Sequence, residues 1–245
     1  MTPTPIFQSQ ALTIYDPTTV PLPFLALEVF VLVAGAWTLR HALRATARGD
    51  RAATLTWLTI FVYGLAMEAI SYELVQNFAH GQFTVMFYDR QLPLYIVTVY
   101  PVLLYTGIFV ARSLRLGPIA TALASGVCIV ALDVPFDLAG PRVGWWRWFG
   151  DDPNIAVRWH GVPVTSFYWH LAFGAILSGL TAWVARRTTP RAWMVLPITA
   201  ATIVLGVIAF LPFHALAALG VGQGTIVAGA IAGFATAVAI AARRR

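Results

Sequence analysis

The sequence predicts an all-α polytopic membrane protein, a seven-helix bundle forming one transmembrane domain over residues 1–245, with the N-terminus outside and the C-terminus cytoplasmic. Three observations carry this expectation. Hydrophobic residues make up 59% of the chain against 11% charged, and the mean hydropathy is +0.75, far from the balance of a soluble globular domain. Seven apolar runs fall at about 22–40, 52–79, 92–114, 117–139, 164–186, 192–217 and 224–242, each near the ~20 residues that cross the hydrocarbon of a bilayer. The 16 basic residues are all arginine, and they alternate between the two ends of such a bundle.

In chain order, Met1 to Val20 carries neither a basic residue nor an apolar core, so it reads as a short exposed tail and not as a signal peptide. Arg40, Arg44, Arg48 and Arg51 follow the first run, Arg112 and Arg115 the third, Arg186, Arg187 and Arg191 the fifth, and Arg243 to Arg245 end the chain. The positive-inside rule puts these in the cytoplasm and leaves Arg90, Arg142, Arg147 and Arg158 outside. The compartment expected is a bacterial plasma (inner) membrane. The loop from Gly140 to Val162 holds Trp145, Trp146, Trp148, Phe149 and Trp159, which suits an interfacial aromatic belt and, compatibly, a lid over a pocket. Gly229 and Gly233 in the seventh run form a GxxxG pair that permits close helix contact, expected inside the bundle more than across a dimer.

Several chemistries are excluded. Without lysine there is no amine for a Schiff base, so a retinal-binding pigment is ruled out despite the helix count. The single cysteine, Cys128, allows no internal disulfide or cysteine zinc site and reads as packing. The formal charge of +6 is a topology signal, not a sign of nucleic-acid binding. The five histidines lack the spacings of a membrane di-iron centre or a zinc protease. No metal and no redox cofactor is required.

What remains is a set of polar residues inside apolar runs. A charge at the centre of a membrane helix costs about 2.5–3.5 kcal/mol even on lenient scales, so such residues usually face a bundle interior or cavity. Ala66 to His80 brings Glu68, Tyr72, Glu73, Gln76, Asn77 and His80. On a continuous helix Glu68, Tyr72 and Gln76 would share one stripe and Glu73, Asn77 and His80 another. Asp133 and Asp137 are four apart and share a face. Glu28, His170 and His214 fall at the same depth, in the outer half of the membrane.

The second and fourth runs each end in acids, and each is followed by an aromatic loop and a proline-started helix, at Pro93 and Pro163. This pattern hints at an internal duplication with facing half-sites. The candidate catalytic residues are therefore Glu68, Asp133 and Asp137. The candidate substrate contacts are Tyr72, Glu73, Asn77, His80, Tyr100, Trp145, Trp146, Trp169 and His170. A carboxyl group set in hydrocarbon beside a second one can hold a proton near neutrality and deliver it to an alkene or epoxide, with aromatic faces stabilising the cation formed. Asp133 and Asp137 could instead chelate Mg²⁺ for a prenyl diphosphate, or the acids could serve a non-enzymatic transporter or lipid-binding subunit, or bond neighbouring helices.

Glu68, the run LPLYIVTVYPVLLYTG (92–107), DVPFDLAGPRVGWWRW (133–148) and GVPVTSFYWHLAFG (161–174) together resemble the small integral-membrane carotenoid-biosynthesis proteins, which include carotenoid hydratases and, on a similar helical plan, membrane lycopene cyclases. Seven-helix terpene cyclases, which also protonate a prenyl tail with membrane carboxylates, are a related resemblance. The chain departs from the pattern at HGQFTVMFYD, where a more glycine-rich loop is usual, and at Ser166, where an Asn is usual. The resemblance implies an isoprenoid cyclase or hydratase, an isomerase or lyase, acting on a lipophilic isoprenoid among membrane lipids. The sequence carries no indication of oligomeric state.

Overall fold

The computed structural model describes residues 3–149 and 152–244; Asp151 of the aromatic loop and Arg245 of the terminal cluster lie outside the described residues. The chain is mostly helical, about 70%, and seven helices are long and apolar enough to cross a membrane. After strands β1 (Pro5–Gln8) and β2 (Leu12–Tyr15) come α1 (Leu22–Ala47) and α2 (Ala52–Val75). The first loop carries β3 (Phe78–His80), β4 (Val85–Phe87) and β5 (Leu92–Pro93), and leads to α3 (Ile96–Ser113). Then follow α4 (Pro118–Val143), β6 (Trp146–Trp148), β7 (Arg158–Trp159), β8 (Val162–Pro163), α5 (Val164–Arg187), α6 (Ala192–Ala218) and α7 (Gln223–Arg243).

Several boundaries differ from the sequence expectation for physical reasons. The second helix ends at Val75, not 79, because Gln76 takes a left-handed conformation (φ 51°, ψ 37°) that stops it. The stripe of Glu73, Asn77 and His80 therefore does not exist. The third helix starts at Ile96, since Leu92–Pro93 pairs with β4. The fourth runs through Pro135 and Pro141 to Val143, ending at Gly144 with φ 86°. The sixth is broken at Phe210, just before Pro212, which lacks an N–H to continue the ladder.

In the stretch expected as an exposed tail, Met1 to Val20, the described residues 3–20 are not simply exposed. Leu12–Tyr15 alternates toward the protein, with Thr13 and Tyr15 buried, and β2 pairs antiparallel with both β1 and β4. Each acid-bearing helix, α2 and α4, is followed by a three-residue strand. Those strands, β3 and β6, pair with each other antiparallel, His80 opposite Trp146 and Phe78 opposite Trp148.

The densest packing joins α4 to α5. There Ser125 and Ser178 hydroxyls bond at 2.8 Å, and Gly126 lets the Leu171 carbonyl come close; a Cβ on Gly126 would lie 2.3 Å from that oxygen. The GxxxG pair in α7 does not serve the bundle in this way, since no other helix among the described residues comes within 4 Å of a Cβ built at Gly229 or Gly233. Gly126→Ala should destabilise the protein by about 1–3 kcal/mol, as overpacking does, read as a lower thermal unfolding midpoint in detergent. An unchanged midpoint would show that α4 and α5 are not held at this distance.

Candidate functional site

Glu68 lies in the last α-helical turns of α2, just before Ser71–Val75 winds as a π-helix. The wider turn re-aims the side chains that follow it. Tyr72, one turn on, donates its hydroxyl to Glu68 Oε2 at 2.7 Å. A second π-helix, Pro101–Tyr105, interrupts α3 directly after Tyr100, whose hydroxyl donates to Glu68 Oε1 at 2.9 Å. Gly64 makes that reach possible, for a Cβ there would lie 2.6 Å from the Tyr100 ring.

The turn at Gln76 and strand β3 fold His80 back over the helix end, so that Nε2 comes 3.3 Å from Glu68 Oε2. Tyr95 OH lies 3.3 Å from His80 Nδ1. A carboxylate oxygen accepts, so Nε2 carries the ring proton toward Glu68, and Nδ1 is left to accept from the Tyr95 hydroxyl. Glu68 thus faces three donors and is itself buried.

The second cluster belongs to α4 and α5. Asp133 and Asp137 are both buried, one turn apart on α4. Ser166 donates to Asp137 Oδ2 at 2.7 Å. His170 Nδ1 lies 2.9 Å from the Ser166 carbonyl and 3.1 Å from Asp133 Oδ2. A carbonyl only accepts, so the Nδ1–H is directed to Ser166, and Asp133 Oδ2 is left buried without a hydrogen bond. One donor atom from each of Asp133, Asp137 and His170 lies within 4.8 Å of the others, a carboxylate and imidazole set that could hold a divalent cation.

The two clusters share a cavity. An inner space of about 110 Å³ is walled by Glu68, His80, Tyr100, Asp133, Asp137 and His170, with Trp146 and Trp148 as part of its lining. Gly140 admits the Trp146 ring, which a Cβ would meet at 2.1 Å. A neighbouring space of about 420 Å³ shares Glu68, Phe78, Tyr100, Trp148, Ser166 and His170 with it and continues past Trp169 and Phe210 to His214. Its rim includes Val75, Val207 and Leu211, apolar residues turned outward from α2 and α6. Exposed apolar residues of both helices thus border the space, beside the exposed loop residue Asn154.

The site does not take in every residue the sequence suggested. Glu73 is exposed and bonded by the Tyr88 hydroxyl; it points away because the helix ends before its supposed partners. Trp145 is absent from both walls and packs on Phe136, its Nε1 donating to the Pro23 carbonyl. Tyr72 acts through Glu68 and does not line the cavity. Asn77 lines the larger space and bonds Asp152 at 3.1 Å, and Trp169 lines it while donating to the Tyr63 hydroxyl at 2.8 Å. Sequence reasoning missed Phe78, Tyr95, Trp148 and Ser166 as parts of the site. Two of these carried a signal: Ser166 is four residues before His170, and strand alternation pairs Trp148 with Trp146 while rejecting Trp145.

Glu68→Leu removes the acceptor for three buried or half-buried donors, and each such unsatisfied group costs about 1–3 kcal/mol. Its thermal midpoint should fall well below that of Glu68→Gln, which keeps an acceptor oxygen. Equal midpoints for the two variants would mean that the three donors do not depend on Glu68.

No curated protein and no solved structure matches the chain, and no carotenoid or terpene-cyclase family model does so. The model that does match is a domain of unknown function, DUF7802, over residues 12–196. That stretch runs from β2 into α6 and contains both carboxyl clusters, so the chain belongs to the DUF7802 family.

Proposed function

We propose that this protein is a membrane-embedded isoprenoid-modifying enzyme, a cyclase or hydratase that protonates an alkene or epoxide of a lipophilic isoprenoid. The observation that carries this reading is the convergence of two carboxyl clusters on one aromatic cavity bordered by exposed apolar residues of α2 and α6. A substrate dissolved in the bilayer would enter between α2 and α6. The larger space falls within the roughly 300–1,000 Å³ typical of ligand pockets.

Asp133 is the residue we assign as proton donor. Its Oδ2 has no competing hydrogen bond, and two carboxyl groups this close in an apolar wall are relieved of mutual repulsion when they share one proton. Glu68, facing three donors, suits the opposite role of a fixed carboxylate that offsets the charge of the carbocation. Proton addition to the alkene leaves a tertiary cation, which water or an internal alkene captures with loss of a proton. The rings of Tyr100, Phe78 and Trp148 offer π-faces to that cation.

Asp133→Asn and Glu68→Gln should each remain folded in detergent while product formation from linear isoprenoids falls by about 10²–10⁴-fold or more. Asp137→Asn, already tied to Ser166, should lose less. Lipid extracts of a producing host check this, and full turnover by both Asp133→Asn and Glu68→Gln would remove the mechanism.

A second reading is favoured by the Asp133, Asp137 and His170 triad: a divalent cation bound there, as in Mg²⁺-dependent prenyl transfer. Activity abolished by a chelator and restored by Mg²⁺ would select it; activity indifferent to chelation favours the acid mechanism.

We further propose a bacterial inner-membrane location with the N-terminus outside, from twelve arginines at one end of the helices against four at the other. In a Cys128→Ser background, Ala156→Cys should react with a membrane-impermeant thiol reagent on intact cells. Labelling only after lysis would invert the orientation.

A further inference from the structure

At the end of the bundle remote from the carboxyl clusters lies a separate cavity of about 430 Å³. The helices themselves establish its remoteness. Its wall takes Asp50 and Arg51 where α2 begins, and Glu68 lies some 16 residues further along, about 24 Å at 1.5 Å per residue. Arg112 comes from the end of α3, Thr121 from the first turn of α4, and Ser178 and Arg186 from the second half of α5.

We propose that this cavity binds the phosphate group of an anionic ligand. Three guanidinium groups from three different segments line it against a single carboxylate. That carboxylate is already occupied: Asp50 Oδ1 accepts the Ala52 N–H at 3.0 Å, and Oδ2 lies 3.8 Å from Arg112 Nη1. Arg112 is held in place by a second bond, Nη2 to Thr56 Oγ1 at 3.1 Å. Neither Arg51 nor Arg186 has an acidic partner among the described residues.

The N-terminal end of α4 adds to this positive field, since no side chain caps its first N–H groups. A collar of arginines at a membrane surface would explain charge alone. It does not explain a hollow that reaches down to Ser178, two turns inside Arg186 and fully buried, nor an arginine as sheltered as Arg112, whose side chain is 21% exposed. Forked guanidinium donors match phosphate oxygens in pairs. The hollow is also larger than a bare phosphate needs, which suits an ester of it. Lipid headgroups and soluble phosphate compounds share this chemistry. The proposal does not rest on the function assigned to the carboxyl cavity.

The test uses the full-length protein purified in a neutral detergent. Thermal unfolding and native mass spectrometry would be run with inorganic pyrophosphate in one arm, and with phosphatidylglycerol against phosphatidylcholine in the other. Wild type should be stabilised and retain the probe in at least one arm; response to phosphatidylglycerol alone identifies a headgroup site, and response to pyrophosphate alone a soluble ligand. The Arg51→Gln/Arg186→Gln double variant leaves the Arg112 bonds intact, and its apparent affinity should fall by roughly tenfold or more for each arginine lost. Arg187→Gln, which instead covers the Trp183 ring, should bind as wild type. No response in either arm, an unaffected double variant, or an equal loss in Arg187→Gln would overturn the proposal.

Discussion

A carboxylate inside an apolar bundle has to be met by donors that the protein itself supplies, and the local structure around Glu68 follows from that requirement. Tyr72 comes from its own helix, Tyr100 from α3, and His80 from a strand that doubles back. A departure from regular structure lies beside each of them. The π-turn at Ser71–Val75, the left-handed Gln76 and the second π-turn after Tyr100 all adjoin these hydrogen bonds. Such interruptions are costly in a continuous helix and recur at functional sites.

The second cluster answers the same requirement incompletely. Asp137 has Ser166, but buried Asp133 Oδ2 accepts no hydrogen bond among the described residues, since the His170 Nδ1 that lies 3.1 Å away directs its proton to the Ser166 carbonyl. An unsatisfied buried oxygen is unfavourable for stability alone. The contrast between a fully satisfied carboxylate and a partly satisfied pair around one cavity gives the two clusters different chemistry. Pairing of β3 with β6 roofs both, so the aromatic residues that follow each acidic helix enter a common lining.

Apolar runs made the seven helices legible, because a span needs only length and hydrophobicity. The acids and His170 were legible for a related reason: polar residues stand out against hydrocarbon. Helix ends were not, since Gln76 carries no strong stop signal and Pro141 does carry one that α4 overrides. A longer helix would set His80 on the stripe of Glu73 and Asn77, apart from that of Glu68; a chain reversal instead brings His80 to Glu68 and leaves Glu73 outside. Trp145 and Trp148 exchanged roles because the loop after α4 is a strand, with a period of two. Pairing of the N-terminal segment with β4 is a long-range event that local composition does not encode.

The central claim is that a carboxyl group of the protein protonates the substrate, on carbon where the group attacked is an alkene and on oxygen where it is an epoxide. Incubating membranes that contain the protein with a linear isoprenoid that has alkenes and no epoxide in D₂O tests this directly, because carboxyl protons exchange with solvent and carbon-bound hydrogens do not. The account predicts that each turnover leaves one solvent-derived deuterium on the protonated carbon, whether water or an internal alkene then captures the cation. A product formed in D₂O without carbon-bound deuterium would contradict it.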